Sequence, residues 1–192
     1  LDYFDLYLIH SPIGGENIKT YQALVDLQGK GKIKSIGNKT KKGLFFWKKG
    51  VSNYGVAHLQ ALEKAGLPLP AVNQIELHPW LQQKEIVKHC RSKGIVVEAY
   101  SPLTKGQMLK KPNQHLQEMS GRYKKSVPQL LIKWSLQKGY VCIVKSSNEK
   151  RIQENFDMWG WDIDNKDIEF FDGLNENFHC TWDPTNESMD NF

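Results

Sequence analysis

Polar side chains suited to binding a ligand follow the predicted β-strands of this sequence. His10 comes directly after the first strand, and the neighbouring Ser52 and Asn53 lie beyond the second. The third, fourth and fifth strands lead to further residues of this kind, namely Gln74, Glu76, His78, Tyr100, Ser101, Lys145, Ser146 and Ser147. Together they offer an imidazole, amides, hydroxyls, an aromatic ring and a cation, which hydrogen-bond to a polar ligand, stack on it or pair with its charge.

Short apolar and β-branched runs alternate with amphipathic helical patterns, and these elements must position the polar groups. The strands are predicted at 3–10, 32–36, 72–77, 95–100 and 140–144, and the helices at 21–27, 57–65, 82–92, 114–119, 127–137, 149–158 and 166–174. Asn148 is the predicted N-cap of the helix that begins at residue 149. Strands that alternate with helices of this length pair in parallel and are buried on both faces.

Two α/β architectures satisfy this pattern, an open doubly wound sheet and a (β/α)₈ barrel. Both place their chemistry at the carboxyl ends of the strands. No predicted strand is followed by Gly-x-Gly-x-x-Gly, the turn that usually holds a dinucleotide pyrophosphate on the open sheet. The absence of this turn favours the barrel.

Composition limits the class of protein. The chain has 192 residues, 40% of them hydrophobic, which is enough for one globular domain with a core. No apolar run reaches the roughly 20 residues needed to span a bilayer, and no charged-then-apolar leader precedes the first strand. The three cysteines are odd in number and widely spaced, which fits a reducing compartment. We therefore expect a cytoplasmic protein with no membrane partner.

One stretch differs from the rest of the sequence in composition. Residues 38–50 contain five lysines, no acidic residue and the run Leu-Phe-Phe-Trp. Because the whole chain has a net charge of +5, the remainder sums to zero. A basic balance is typical of proteins that bind nucleic acid or anionic membranes. Here the charge belongs to one segment rather than to the domain, so we expect no nucleic-acid partner.

Five stretches of the sequence resemble the aldo-keto reductases. They are LDYFDLYLIHSP, GKIKSIG…VSN, VNQIELHPW, VVEAYSPL and VKSSNEKRIQENF, each at a strand end and in the family's order. Members of this family are (β/α)₈ barrels that reduce aldehydes and ketones with NAD(P)H. The resemblance implies a partial (β/α)₈ barrel, with strands 4 to 8, their helices, a C-terminal helix and a tail, in one domain of residues 1–192.

The resemblance also implies a cofactor-binding role for most strand-end groups. Three residues match positions that hydrogen-bond the nicotinamide carboxamide: Ser52, Asn53 and Gln74. Tyr100 matches the aromatic residue that stacks on the nicotinamide ring. The other matches belong to the pyrophosphate (Ser101 and Leu103), the phosphate on the adenosine ribose (Lys145 and Ser146) and the adenine (Glu154 and Asn155). Arg151 matches a position that clamps the phosphate or stacks on the adenine. Phosphate binds readily at a helix N-terminus, and two cations there favour NADPH over NADH.

The substrate side of the site has fewer matches. His10 matches the family's active-site histidine, which hydrogen-bonds the substrate carbonyl, and it is the predicted catalytic residue. Trp80 and Trp182 fall where the family builds its substrate pocket. Glu76 and His78 match positions near the cofactor and the barrel rim, with less definite roles.

Simpler interpretations of these residues stay open. His10 could be a packed strand-end residue, Tyr100 could belong to the core, and residues 145–147 could be an ordinary helix start. His78 and His89 lie eleven residues apart and could suggest a metal, but no third ligand converges on them in the sequence. We predict no metal site.

The resemblance leaves part of the family's pattern unmatched. The family's proton-donor Tyr, the Lys that lowers the pKa of that Tyr and a supporting Asp lie in barrel units before the matched segment. The chain opens almost inside a strand, so we interpret it as an N-terminally truncated fragment that is inactive alone. Without residues 38–50 the sequence reads SIGVSNYG, a continuous match to the family. We favour an accidental insertion there over a lineage-specific loop or a basic, aromatic contact with membrane or nucleic acid.

The sequence therefore predicts an NADPH-dependent oxidoreductase that reduces small aldehydes or ketones to alcohols, monomeric if complete. Two other classes remain. One is a non-catalytic nicotinamide-binding module that regulates partners, and the other is a truncated product without function. The presence of the upstream Tyr, Lys and Asp would favour the enzyme.

Overall fold

The structure is a computed structural model that describes residues 2–33 and 49–189. The chain divides into two compact units. Unit 1 consists of Leu1–Ile75, Glu85–Val97 and Asp183–Phe192, and unit 2 consists of Glu76–Lys84 and Glu98–Trp182.

Strands and helices alternate along the described residues. The strands are β1 (Leu8–Ile9), β2 (Gly50–Ser52), β3 (Val72–Glu76), β4 (Val96–Tyr100) and β5 (Val141–Cys142). The helices are α1 (Asn17–Gly29), α2 (Val56–Lys64), α3 (Lys84–Ser92), α4 (Gln114–Tyr123), α5 (Val127–Gln137), α6 (Glu149–Phe156) and α7 (Asn165–Asp172). The strands lie in one sheet in chain order, and the pairs β1–β2, β2–β3 and β4–β5 are parallel. The predicted α/β class with a parallel sheet is confirmed.

Unit 1 is organised around β2, which pairs on one side with β1 and on the other with β3. Leu8 lies opposite Gly50, and Ser52 lies opposite Gln74. Burial of apolar side chains from the sheet and from both neighbouring helices stabilises this ladder. The side chains of Val51, Tyr21 in α1 and Leu59 in α2 are fully buried. The carboxyl ends of the three strands therefore have a fixed register.

The second strand differs from its prediction at 32–36. Ile33 forms only an isolated parallel bridge to Phe4, and residues 34–36 lie outside the described residues. The regular strand begins instead at Gly50, inside the block that the sequence separates as 38–50. Residues 38–48 of that block also lie outside the described residues. Since Gly37 and Gly50 are both glycine, removing 37–49 or 38–50 leaves the same sequence.

Two residues pair with the first strand region, and the sequence separation from their partners differs by the length of this block. Ile33 follows its partner Phe4 by 29 positions, whereas Gly50 follows its partner Leu8 by 42 positions. The difference of 13 positions equals the number of residues in 38–50. Gly50 thus occupies the position along β1 that Gly37 would occupy in an uninterrupted strand.

Lys49, the last lysine of the block, is buried beside β2. Its side chain is 3% exposed, and its Nζ lies 3.3 Å from Oε1 of Gln28 and 5.1 Å from the centre of the Tyr21 ring. Burial lowers the pKa of Lys49 from its ordinary value because a charged ammonium loses its hydration there. By the register above, Ile36 would fill this position in the uninterrupted strand.

In unit 2, β4 and β5 form a parallel ladder that pairs Glu98 with Val141 and Ala99 with Cys142. Helix α5 matches its predicted bounds and carries the largest fully buried side chain, that of Trp134. Its N-terminus is a capping box, in which Ser126 accepts a hydrogen bond from the backbone N–H of Gln129 and the Gln129 side chain accepts one in return.

The remaining predicted elements differ from the observed ones mainly at their ends. The first and fifth strands have only two regular residues each, fewer than predicted, and the helix predicted at 82–92 begins at Lys84 because Gln83 has a φ of +44°. None of the described helices is long and apolar enough to cross a bilayer. The three cysteines, all within the described residues, are free thiols.

Candidate functional site

A cavity of about 800 Å³ lies in unit 2 between the loop after β4 and the segment that joins β5 to α6. Its size is that of a pocket for a cofactor or a drug-sized ligand. The cavity is lined by all eight residues that the sequence predicted for the ring-stacking, pyrophosphate, phosphate and adenine contacts: Tyr100, Ser101, Leu103, Lys145, Ser146, Arg151, Glu154 and Asn155. The structure therefore brings this part of the predicted set together.

The start of α6 presents the cationic side of the cavity. Asn148 is the N-cap of α6, as predicted, and its Oδ1 accepts a hydrogen bond of 3.1 Å from the backbone N–H of Arg151. Ser146 Oγ accepts one of 3.2 Å from the backbone N–H of Asn148. These local bonds fix the turn that carries Lys145 and Arg151, whose side chains are exposed. Both cations add to the partial positive charge of the helix N-terminus, which favours an anion.

The loop after β4 forms the opposite wall with an unusual backbone. Ser101, Thr104 and Lys105 have φ values of +54°, +52° and +51°, in the left-handed region that few residues other than glycine adopt. Thr104 is fully buried, and its Oγ1 accepts a hydrogen bond of 3.0 Å from the backbone N–H of Met108. Such strain persists where the surrounding structure fixes it, and it is common at ligand sites.

Lys105 is a lining residue that the sequence did not predict. It lies in this loop with an exposed side chain and adds a third cation to those of Lys145 and Arg151. The only carboxylate among the lining residues is that of Glu154. The signal in the sequence was a lysine two residues after VVEAYSPL, but one lysine at a loop tip is too common to indicate a site.

The predicted carboxamide-binding residues lie in unit 1, where β2 and β3 end. Ser52 Oγ donates a hydrogen bond of 2.8 Å to the carbonyl of Gln74, and the backbone N–H of Asn53 donates another of 2.8 Å to the same oxygen. Asn53 has a φ of +63°, which asparagine tolerates better than most residues. Its Nδ2 donates 2.9 Å to the carbonyl of His10. The structure thus brings together three predicted binding residues and the predicted catalytic histidine.

His10 and the two predicted pocket tryptophans have different environments. His10 is exposed and lines a smaller cavity of about 360 Å³ in unit 1. In unit 2, Trp182 is 49% exposed, whereas Trp80 is 6% exposed and its carbonyl accepts hydrogen bonds from the backbone N–H groups of Glu176 and Phe178. Their part in a substrate pocket stays a prediction.

Unit 2 contains a buried polar cluster of Glu76, His78 and Cys180 that the sequence did not predict. One side-chain atom each of Glu76, His78 and Cys180 lies within 4.8 Å of the others, as metal ligands would. The carboxylate of Glu76, however, accepts hydrogen bonds from His78 Nε2 at 3.0 Å and from the backbone N–H groups of Cys180 and Thr181 at 2.7 and 3.1 Å. Burial and the adjacent carboxylate raise the pKa of Cys180 to about 12, so its sulfur is a protonated thiol. We interpret the cluster as hydrogen-bonded, because the Glu76 carboxylate already accepts hydrogen bonds from three residues.

Comparison with known proteins decides the family. The sequence profile of the Aldo/keto reductase family matches residues 1–176. The chain belongs to this family. An oxidoreductase of Bacillus subtilis is 40% identical over 186 residues, which cover 97% of this chain and 61% of that protein. A glyoxal reductase of the same bacterium is 42% identical over 176 residues, which cover 92% of this chain and 58% of that protein.

Solved aldo-keto reductases share the fold of the chain. An enzyme from a deep-sea metagenome library superposes with a TM-score of 0.84 at 32% identity, over 97% of this chain and 65% of that one. The Bombyx mori aldo-keto reductase, solved in complex with NADP, superposes with a TM-score of 0.79 at 30% identity, over 94% and 60%. The chain thus spans about three fifths of the length of these curated relatives, 61% and 58%.

Proposed function

We propose that this aldo-keto reductase chain binds NADPH and serves the reduction of small aldehydes and ketones to alcohols. The observation that carries the proposal is the cavity of about 800 Å³ in unit 2, which is lined by the eight residues predicted from the family's motifs, Lys145 and Arg151 among them, and by a third cation, Lys105. The Bombyx mori relative, solved with NADP, supports the choice of cofactor.

The phosphate end of the cofactor suits the start of α6. Arg151 offers a planar fork of N–H groups, Lys145 offers a compact charge, and Ser146 offers a hydroxyl, all at a capped helix N-terminus. A phosphate on the adenosine ribose would be doubly charged, and these groups would neutralise it without burying a lone cation. NADH lacks that phosphate, so the same groups discriminate between the two cofactors.

The nicotinamide end of the cofactor suits Tyr100 of unit 2. The half-buried ring of Tyr100 lines the cavity and offers a flat surface for stacking. Ser52, Asn53 and Gln74 would hydrogen-bond the carboxamide and fix which face of the ring meets the substrate. When bound, the cofactor supplies the hydride.

The chemical step also needs a proton at the substrate oxygen. We propose that His10 hydrogen-bonds the carbonyl and polarises it, because its imidazole is exposed at the end of β1. By resemblance, the family's tyrosine, lysine and aspartate precede the segment that this chain matches. We therefore propose that this 192-residue chain binds cofactor but does not itself turn substrate over.

Calorimetric titration of the chain with NADPH and with NADH tests the proposal. We expect NADPH to bind at least tenfold more tightly, the difference that one charged hydrogen bond of about 1.5–3 kcal/mol provides. Equal affinities would show that the cations do not read the phosphate, and no binding of either cofactor would contradict the proposed function.

A further inference from the structure

The C-terminal tail of unit 2, residues 175–182, is held by the segment that follows β3. The backbone N–H groups of Glu176 and Phe178 donate hydrogen bonds of 3.2 and 3.0 Å to the carbonyl of Trp80. Oδ1 of Asn175 accepts a hydrogen bond of 2.8 Å from the backbone N–H of Gln82. The tail is therefore docked at three points, all close to Glu76 in the sequence.

Glu76 forms a further, deeply buried attachment of the tail. Its side chain is 2% exposed, and its two oxygens accept the backbone N–H groups of Cys180 and Thr181, the hydroxyl of Thr181 and Nε2 of His78. Burial by itself raises the pKa of Glu76, but the hydrogen bonds from His78, Cys180 and Thr181 outweigh it and lower the pKa to about 2. The carboxylate is thus ionised at neutral pH, and its hydrogen bonds are charge-assisted.

The hydroxyl of Thr181 connects this attachment to the cavity. Thr181 Oγ1 lies 3.2 Å from the hydroxyl of Tyr100. A threonine hydroxyl has one proton, and here it is donated to the Glu76 carboxylate, so the Tyr100 hydroxyl is the donor to Thr181 Oγ1. The direction of the chain is therefore from Tyr100 to Thr181 to Glu76.

We propose that Glu76 is a positioning residue for the nicotinamide ring: it fixes Thr181 in the tail so that Thr181 holds the hydroxyl of Tyr100 and thereby sets the plane of the stacking ring. This inference rests on the proposed function, since it concerns the ring on which the nicotinamide would stack. Tyr100 is half-buried and lines the cavity, so a hydrogen bond at its hydroxyl limits the tilt of the ring.

Glu76 and Thr181 thereby acquire a joint role that no short motif in the sequence indicates. The partners Glu76 and Thr181 are 105 positions apart, and Tyr100 and Thr181 are 81 positions apart.

The test compares two ligands in four proteins. The ligands are NADPH, which reaches Tyr100, and adenosine 2′,5′-bisphosphate, which reaches only the cation side of the cavity. The proteins are the native chain, Glu76→Gln, Thr181→Val and, as the matched control, Glu176→Gln, which makes the same carboxylate-to-amide change at an exposed residue of the tail and keeps its backbone N–H. Affinities are measured by calorimetry, and the emission of the bound nicotinamide reports its environment.

We expect Glu76→Gln and Thr181→Val to weaken NADPH on the order of tenfold, the effect of one or two hydrogen bonds. They should also shift the nicotinamide emission and leave the bisphosphate affinity unchanged. Glu176→Gln should change the affinity for neither ligand. Should Glu76→Gln fail to fold, Thr181→Val still decides the question, because it exchanges one hydroxyl for a methyl group.

Three results would overturn the inference. Equal losses for both ligands would mean that the anchor only stabilises the unit, and unchanged NADPH binding would mean that the ring needs no anchor. A rise in the melting temperature of the native chain with added zinc chloride, absent in Cys180→Ala, would mean that the cluster is a metal site. If the native chain binds neither ligand, the proposed function itself fails. Binding by the native chain alone therefore distinguishes that failure from a failure of this inference.

Discussion

The cavity of unit 2 differs from the set of Ser52, Asn53 and Gln74 in unit 1, here called the amide group. The two present their binding groups in different ways. In the cavity, Lys145 and Arg151 are exposed, and the turn that carries them is fixed by hydrogen bonds between residues two or three positions apart. In unit 1, Ser52 and Asn53 are each 3% exposed and bond to carbonyls of other strands. The cavity therefore depends on local structure, whereas the amide group depends on the register of β1, β2 and β3.

This difference predicts which of the two sites is more sensitive to an insertion. We propose that residues 38–50 are an insertion into a single strand, because the pairings of Ile33 and Gly50 with the first strand region differ by 13 positions. The amide group follows β2 immediately, so it lies next to the interruption. The turn at the start of α6 lies about a hundred residues after this block in the sequence. We therefore expect the turn to keep its affinity for phosphate.

The largest expected effect concerns turnover. The chain alone should oxidise NADPH with a reactive aldehyde such as a nitrobenzaldehyde at least 10²-fold more slowly than a version extended by a family-like upstream segment, because general acid catalysis is typically worth 10²–10⁴-fold. The assay is the loss of absorbance at the NADPH band. Comparable rates that are abolished by His10→Ala would imply a different acid within this chain.

The next largest effect should come from Arg151 in the cavity. Arg151→Ala should weaken NADPH by about 1.5–3 kcal/mol and leave NADH nearly unchanged, since the loss is that of a charged hydrogen bond to the phosphate. Lys150→Ala is the matched control, because this neighbouring cation is not among the lining residues of the cavity. Equal losses for NADPH and NADH on changing Arg151 would show that it binds another part of the cofactor.

A smaller effect should come from the buried lysine of unit 1. Lys49→Met should raise the free energy of unfolding by about 1 kcal/mol, because a buried ammonium with a single neutral side-chain acceptor costs more than an apolar side chain. Deleting 38–50, which places Ile36 there, should act in the same direction and should also raise soluble yield. Lys32→Met, at an exposed site, should be neutral. A loss of stability in Lys49→Met would show that the block is adapted to the fold.

The pH dependence of this effect has a definite sign. Because the pKa of Lys49 is lower in the folded state than its ordinary 10.5, the unfolded chain binds more protons between the two values. The stability of the native chain should therefore rise as the pH increases through the lowered pKa toward 10.5. Lys49→Met should lack this rise, and denaturant titrations at pH 7 and pH 10 measure it.

The smallest effect concerns Lys105, the cation that the sequence did not reveal. Lys105→Ala should weaken NADPH by about 0.2–1 kcal/mol, the usual range for an exposed ion pair, and the loss should shrink at high salt. Lys110→Ala, on the next turn and outside the lining residues, is the control. A salt-independent loss would mean that Lys105 acts through the conformation of its loop.

Local patterns allowed much of the fold and of the cavity to be predicted from the sequence. The bounds of α5 matched because helical periodicity and a good N-cap coincide at Ser126, and Asn148 caps α6 as predicted. The family's strand-end motifs indicated eight of the cavity's lining residues because those residues lie within a few positions of a strand or a helix start.

Features that depend on distant contacts could not be predicted. The burial of Lys49 depends on Gln28 and Tyr21 in α1, and a lysine in a basic segment looks exposed in sequence. The bonds of Glu76 to Cys180 and Thr181 join residues more than 100 positions apart, and no short motif indicates such a pair. The length of β1 could not be predicted for the same reason, because it depends on which residues pair with the strand and not on its β-branched composition.

A crystal structure of the chain with NADP⁺ would show where the cofactor binds. We expect the phosphate on the adenosine ribose to lie within about 3.5 Å of Arg151 and Lys145 at the start of α6, with the nicotinamide against the ring of Tyr100. A cofactor bound elsewhere, or a cavity that stays empty at saturating NADP⁺, would contradict it.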